Sequence, residues 1–269
     1  MEFFICATCG TQYPESASPP AECAICADER QYIGHGGQRW TTLAELRQGR
    51  HNTLREHEPG LTGIGSEPSF AISQRALLVQ TPAGNVLWDC ITLIDDATVA
   101  AVRALGGVSA IAISHPHYYS AMVEWAHAFG APIYLHAGDR EWVMRPDPAV
   151  QFWEGERKQL VPGVTLVHCG GHFAGSVALH WAQGAGGRGA LLTGDTIYVV
   201  QDRRYVSFMR SFPNLIPLAA PAVRQLVAAV EPFAYERLYA AWWEAIVAED
   251  AKAAVRRSAE RYLRAIGAE

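Results

Sequence analysis

Ile113-Ser114-His115-Pro116-His117-Tyr118-Tyr119-Ser120 decides how the chain reads: it closes a short apolar run, Val108 to Ile113, with two histidines one residue apart. Two further strings follow or end apolar runs in the same way, Cys169-Gly170-Gly171-His172-Phe173-Ala174-Gly175-Ser176 and Leu191-Leu192-Thr193-Gly194-Asp195-Thr196. A strand held in a sheet is rigid, and side chains just past its end are free to converge. Three imidazoles and one carboxylate delivered to one sheet edge, His115, His117, His172 and Asp195, make a candidate metal centre with room for water. Gly170 and Gly171 permit the tight turn that presents His172. Singly, each residue is an ordinary strand-end side chain; the combination carries the signal.

The chain has 269 residues, enough for one large domain or two smaller ones. Hydrophobic residues make up 49% and charged residues 18%, so a sizeable core can be buried. A net charge of −5 without blocks of like charge excludes a general nucleic-acid binder. No apolar run approaches membrane-spanning length, so no membrane partner is expected. The start, Met1-Glu2-Phe3-Phe4-Ile5-Cys6, lacks a basic region followed by a long apolar stretch and does not read as a secretory signal. The expectation is a cytoplasmic protein acting on a small molecule.

Four of six cysteines fall into two pairs, Cys6-x-x-Cys9 and Cys23-x-x-Cys26. Each pair aims two thiolates at one ion, and the Pro-, Ser- and Ala-rich stretch between them cannot form a core of its own. A structural zinc site with four cysteine ligands is the leading reading, since the metal then supplies the folding energy. Redox iron suits the same ligands, and disulfides or free thiols are the bland alternative. Residues 1–30 are therefore expected to form a four-cysteine zinc module that docks on the main domain, contacts a second copy or recruits a protein partner. Residues 31–60 read as a linker packing on the main domain, with a short helix near Thr41 to Arg47. Residues 61–269 read as the main domain.

Within it, Phe70 to Ile72, Ala76 to Gln80, Val86 to Ile91, Val108 to Ile113, Pro132 to Leu135, Val164 to Val167, Val177 to Trp181, Ala190 to Leu192 and Leu238 to Ala241 read as strands. Helices are expected from Asp95 or Asp96 to Leu105, Ala121 to Phe129, Ala222 to Val230 and Glu249 to Ile266. Gly184 to Gly189 reads as a hairpin tip. The fold class is α+β, with mixed sheets packed together and helices outside.

The histidine and aspartate strings together resemble the metallo-β-lactamase superfamily over roughly residues 60 to 245, and Cys6-Ala7-Thr8-Cys9-Gly10 looks like a rubredoxin or zinc-ribbon knuckle. The resemblance implies an αββα sandwich and a metallohydrolase site, with the departures from it as informative as the matches. The family's first string normally reads His-x-His-x-Asp-His; here the last two positions are Tyr119 and Ser120. A late histidine is also missing from Leu238-Tyr239-Ala240-Ala241-Trp242-Trp243-Glu244. The second metal site of the family is thus stripped, leaving one ion, zinc or iron, on His115, His117 and His172, with Asp195 as fourth ligand or base.

Tyr119 stands where the family has a nucleophile-orienting Asp; it is a poor base near neutrality but would donate to a developing oxyanion. Tyr119 and Glu244 are also candidate substitute ligands. Asp89 matches an early strand-end Asp that orients a ligand histidine, or else it simply caps a strand. Tyr118 and Phe173 are expected to wall a pocket, and Arg203 and Arg204 either attract an anionic substrate or pair on the surface. The resulting reading is a hydrolase opening an ester, thioester or lactone. A mononuclear iron oxygenase and a non-catalytic scaffold stand as alternatives.

Overall fold

The computed structural model describes residues 1–268; Glu269, the last residue of the third expected segment, lies outside the described residues. The chain opens with β1 (Glu2–Cys6) and β2 (Gln12–Ser16), an antiparallel pair joined by the first cysteine knuckle. After a single helical turn, α1 (Ala24–Ala27), the strand β3 (Trp40–Thr41) pairs with β1 to complete a three-stranded sheet. The stretch read as linker thus contributes a strand to the cysteine module. It also holds the helix α2 (Leu43–Arg47), where Thr42 and Glu45 form a reciprocal capping box.

Residues 51–60, also read as linker, are built into the main domain. β4 (His51–Glu58) turns through Pro59-Gly60 into β5 (Leu61–Glu67), and the two begin the main sheet. β6 (Ala76–Val79) and β7 (Val86–Trp88) extend it antiparallel; β8 (Ala110–Ala112), β9 (Ile133–His136) and β10 (Val150–Trp153) extend it in parallel. Phe70 to Ile72, expected as a strand, lies in a turn, with Ala71 and Ser73 in the left-handed region. α3 (Asp96–Ala104), capped by Asp95, and α4 (Met122–Phe129), ended by left-handed Gly130, cover the outer face.

The second sheet takes β11 (Arg157–Val161), β12 (Val164–His168), β13 (Val177–Trp181) and β14 (Ala190–Gly194) as an antiparallel meander. The expected hairpin tip between β13 and β14 is wound into a helical turn, α5 (Gly184–Gly187). Two short ribbons follow, β15 (Tyr198–Val199) with β16 (Val206–Ser207), and β17 (Met209–Ser211) with β18 (Ile216–Pro217). After α6 (Ala220–Val230), β19 (Arg237–Ala240) joins β14 in parallel, and β20 (Ile246–Val247) closes the edge. α7 (Ala251–Ala265) packs with α6 on the outer face, its Arg256 paired with Glu231 at the surface.

Strand alternation sorts the core into three layers. Val86, Trp88, Ala110, Ala112, Ala190 and Leu192 point between the sheets, while Leu87, Ile111 and Leu191 point outward under the helices. Each fully buried aliphatic side chain contributes about 1.5–3 kcal/mol, so the two sheets form a stiff frame for whatever their ends carry. The result is the mixed-sheet α+β sandwich flanked by helices that the sequence implies. Among the described residues no helix is long and apolar enough to cross a membrane.

Candidate metal centres

The centre is assembled where three strands end. β8 runs out at Ala112, and the backbone turns at His115 into a 3-10 helical turn, Pro116–Tyr118, which returns His117 toward His115. Asp89, just past β7, accepts the Ser114 amide at 2.7 Å and so holds the backbone that enters the histidine string. It is fully buried with a left-handed backbone, and burial pushes its carboxyl up to about 7. Of the two readings of Asp89, the structure thus favours support of the site. β13 lies beside this loop, with the Val177 amide bonded to the Ser114 carbonyl. Just before β13, left-handed Gly170 and Gly171 turn His172 inward. Gly194 ends β14 with φ +54, and a Cβ there would lie 2.4 Å from Ser114 Oγ. Only glycine lets the Asp195 strand approach the histidine string this closely.

These turns bring His115, His117, His172 and Asp195 together, with donor atoms all within 4.8 Å of one another. All four are buried. His172 Nδ1 lies 3.0 Å from the Met209 carbonyl, which fixes the proton there and turns the Nε2 lone pair inward, 3.2 Å from His117 Nδ1. Two imidazole nitrogens on one tetrahedral zinc, at about 2.0–2.1 Å each, stand roughly 3.3 Å apart. His115 Nε2 is 3.9 Å from Asp195 Oδ2. Among the described residues His115 Nε2, on the side of Asp195, has no hydrogen-bond partner although it is buried, an arrangement costly to leave unfilled. Burial holds the His115 and His117 imidazoles well below their usual pKa and brings His172 to about 4, so all three are neutral at pH 7 as ligation requires. Burial also lifts the Asp195 carboxyl to about 7, against the lowering effect of a hydrogen bond from Tyr118. The donor set fits a divalent ion.

Tyr119 is a correction. It is buried among Met122, Val123 and neighbouring apolar groups, and no hydrogen bond joins its hydroxyl to the cluster. The tyrosine at the centre is Tyr118, whose hydroxyl donates to Asp195 Oδ1 at 2.6 Å while its ring lies 4.4 Å from that of His115. A 3-10 turn has three residues per turn, so residues three apart share a face; Tyr118 therefore falls over His115 and Tyr119 turns away. Glu244, the other substitute ligand considered, is exposed and 3.5 Å from Arg203. Arg204 pairs with Asp202. Both arginines are surface-paired.

At the end of β19, where the family carries its late histidine, the backbone is sealed by an arginine. The amide of Arg75 donates to the Ala241 carbonyl at 2.8 Å, and its Nη1 donates to Ala240. This side chain is 1% exposed and also reaches His57 Nε2 at 3.0 Å. His57, in the stretch read as linker, is half-buried on β4, and burial first, then Arg75 and Arg55, lower its pKa to about 4.

Phe173 stacks on His115 at 5.7 Å and 13°, and is itself buried rather than walling an open pocket. An aromatic series leads outward from His172 through Phe212 and Tyr198 to Trp242. It ends at a cavity of about 400 Å³ lined by Phe70, Gln74, Ile91, Trp242 and Trp243, with Arg55, Glu67 and Glu244 at its margin.

The second cluster lies in the N-terminal module. Cys6, Cys9, Cys23 and Cys26 are buried together, with Cys6 Sγ 3.6 Å from Cys26 Sγ and Cys9 Sγ 3.6 Å from Cys23 Sγ. Sulfurs on one tetrahedral zinc stand roughly 3.8 Å apart, whereas a disulfide needs about 2.05 Å. The geometry fits one ion held by four thiolates.

Comparison with known proteins places the fold. Residues 71–242 match the family model described as the metallo-beta-lactamase superfamily. The uncharacterized protein YmaE of Bacillus subtilis (strain 168) is 50% identical over 271 residues, spanning 100% of this chain and 98% of YmaE. Among solved structures, a metallo-beta-lactamase of Cronobacter sakazakii with a HARLDQ motif superposes with a TM-score of 0.53 at 17% identity, covering 80% of this chain and 92% of that one. VMB-1 superposes with a TM-score of 0.59 at 10% identity, covering 80% and 98%. The DIM-1 metallo-beta-lactamase gives 0.58 at 11% identity, with the same coverage. At these identities the structures share the fold alone.

Proposed function

The chain belongs to the metallo-beta-lactamase superfamily, and on that premise we propose a hydrolase with one active-site ion that opens an ester, thioester or lactone. The observation that carries the proposal is the buried set of His115, His117, His172 and Asp195, their donor atoms within 4.8 Å of one another, with His115 Nε2 lacking a hydrogen-bond partner among the described residues. His115, His117 and His172 would hold the ion, and Asp195 is the fourth ligand or the base. A bound zinc would supply Lewis acidity and lower the pKa of a water in the site to about 7. Tyr118 occupies Asp195 Oδ1 and so leaves Oδ2 to face the ion or to accept a proton from the attacking water.

Zinc is the proposed ion in both clusters, structural at Cys6, Cys9, Cys23 and Cys26. Six free cysteines suit a reducing, cytoplasmic setting. The test is turnover of a panel of aryl esters, thioesters and lactones by wild type and His172→Ala. Turnover abolished in the variant supports the reading; equal rates on every substrate would sink it. Iron in the histidine cluster with substrate-dependent oxygen uptake would instead establish the oxygenase reading. The scaffold reading draws on the burial of the cluster, and a metal-loaded protein without turnover on the panel would favour it.

A further inference from the structure

The cysteine module does not hang from the molecule; it is fastened to the loops that build the histidine centre. The Gly10 carbonyl accepts from Thr92 Oγ1 at 3.0 Å, three residues past Asp89. The amide of Gln12 donates to the Ser120 carbonyl at 3.0 Å, three residues past His117. Beyond Cys26, the Asp28–Gln31 segment meets the other side of the centre. Arg30 Nε donates to the His172 carbonyl at 2.8 Å, and its guanidinium lies 4.3 Å over the Phe173 ring. Asp28 holds that guanidinium at 2.7 Å. Asn214 Nδ2 donates to the carbonyls of Glu29 and Gln31, tying the same segment to the loop that follows Met209, whose carbonyl faces His172 Nδ1.

A second line of contact runs parallel. Trp142 packs on the cysteine cluster and meets Phe173 edge-on at 5.5 Å, and Phe173 in turn lies on His115. With the module in place, none of the four donors is more than 5% exposed.

We propose that the four-cysteine module is the lid of the histidine centre and that Arg30 is the positioning residue through which the module holds His172. Arg30 suits the task because one planar group donates to the His172 backbone, stacks on Phe173 and is anchored by Asp28. Filling of the cysteine site orders the loop after Cys26, and that loop sets the backbone from which His172 projects. The functional sense of the lid rests on the hydrolase reading, but the coupling does not, since it is a contact between two loops.

The experiment is hydrogen exchange on the full chain, read by mass spectrometry over residues 169–176 and 209–214, for wild type, Arg30→Ala, Arg30→Lys and Cys9→Ser. The loop's amides are protected in wild type: Gly175 N–H by Asp139, Phe173 N–H by Ser176 Oγ, Cys169 and Gly170 N–H by the Ser176 carbonyl. Cobalt loading, with its thiolate-to-cobalt absorption, shows separately whether the cysteine site is filled. Arg30→Ala is expected to keep that absorption while exchange in 169–176 rises about tenfold or more. Arg30→Lys, which keeps the charge without the planar fork, is expected to follow it. Cys9→Ser is expected to lose the absorption and give the same rise with Arg30 intact. Unchanged exchange in Arg30→Ala overturns the proposal, and so does loss of the cobalt absorption in that variant, which would make Arg30 a folding residue of the module. A protein that hydrolyses nothing leaves these readouts intact, so the two readings fail separately.

Discussion

Tyr118→Phe removes one oxygen and leaves the ring against His115 in place. The lost contact is a 2.6 Å hydrogen bond from the hydroxyl to Asp195 Oδ1, both groups buried, so no water replaces the donor. A charge-assisted hydrogen bond of this kind is worth about 1.5–3 kcal/mol. That energy bounds the effect on metal affinity: at about 1.4 kcal/mol per tenfold, binding at the histidine cluster should weaken by up to roughly 150-fold as Asp195 loses the contact that orients Oδ2. The hydroxyl also holds the Asp195 carboxyl down against burial, which has already lifted it to about 7. Without it the carboxyl keeps its proton to higher pH, and a protonated carboxyl binds cations poorly. The deficit should therefore be larger at pH 6 than at pH 8. Competition titration against a chromophoric chelator at both pH values, with the cysteine site filled beforehand, measures it. Affinities of wild type and variant within twofold of each other at both pH values would refute the reasoning.

Gly194→Ala places a methyl group 2.4 Å from Ser114 Oγ on a left-handed backbone; we expect a loss of about 1–3 kcal/mol in stability and weakened metal binding, read by urea unfolding and metal content. A variant as stable as wild type would show that β14 and the histidine string are not held in close contact. Asp139 tests the electrostatics away from the ligands. Burial lifts its carboxyl from 3.8 to about 7, so the folded chain keeps a proton that the unfolded chain releases. Wild-type stability is therefore lost as pH rises from about 4 to 7, by at most about 4 kcal/mol. Asp139→Asn keeps an acceptor for the Gly175 amide and should gain on wild type as pH rises from 5 to 8; a pH-independent difference in unfolding midpoint would contradict this.

The candidate metal-binding histidines and Asp195 were legible because each follows a buried strand, and the sheet brings those ends to one edge whatever the loops between them do. The cysteine pairs were legible because their spacing carries its own geometry. What escaped the sequence was set by contacts between distant segments. His51-Asn52-Thr53-Leu54-Arg55-Glu56-His57-Glu58 looks like polar linker because it is an edge strand, where charge on the open side discourages pairing with another chain. Phe70 to Ile72 has strand composition but turns to deliver Arg75 beneath β19. The choice of Tyr118 over Tyr119 depended on the 3-10 turn begun at Pro116, which an extended reading of the string does not contain. Arg30 carries no motif at all; its position shows only once the cysteine module is seated on the loops around His172.

Whether the chain holds two separate ions is read from metal content per chain, on protein purified without added metal and repeated for His172→Ala and Cys9→Ser. Two ions are expected in wild type and one in each variant, the remaining ion being thiolate-bound in His172→Ala and histidine-bound in Cys9→Ser. A single ion in wild type that His172→Ala leaves unchanged would contradict this.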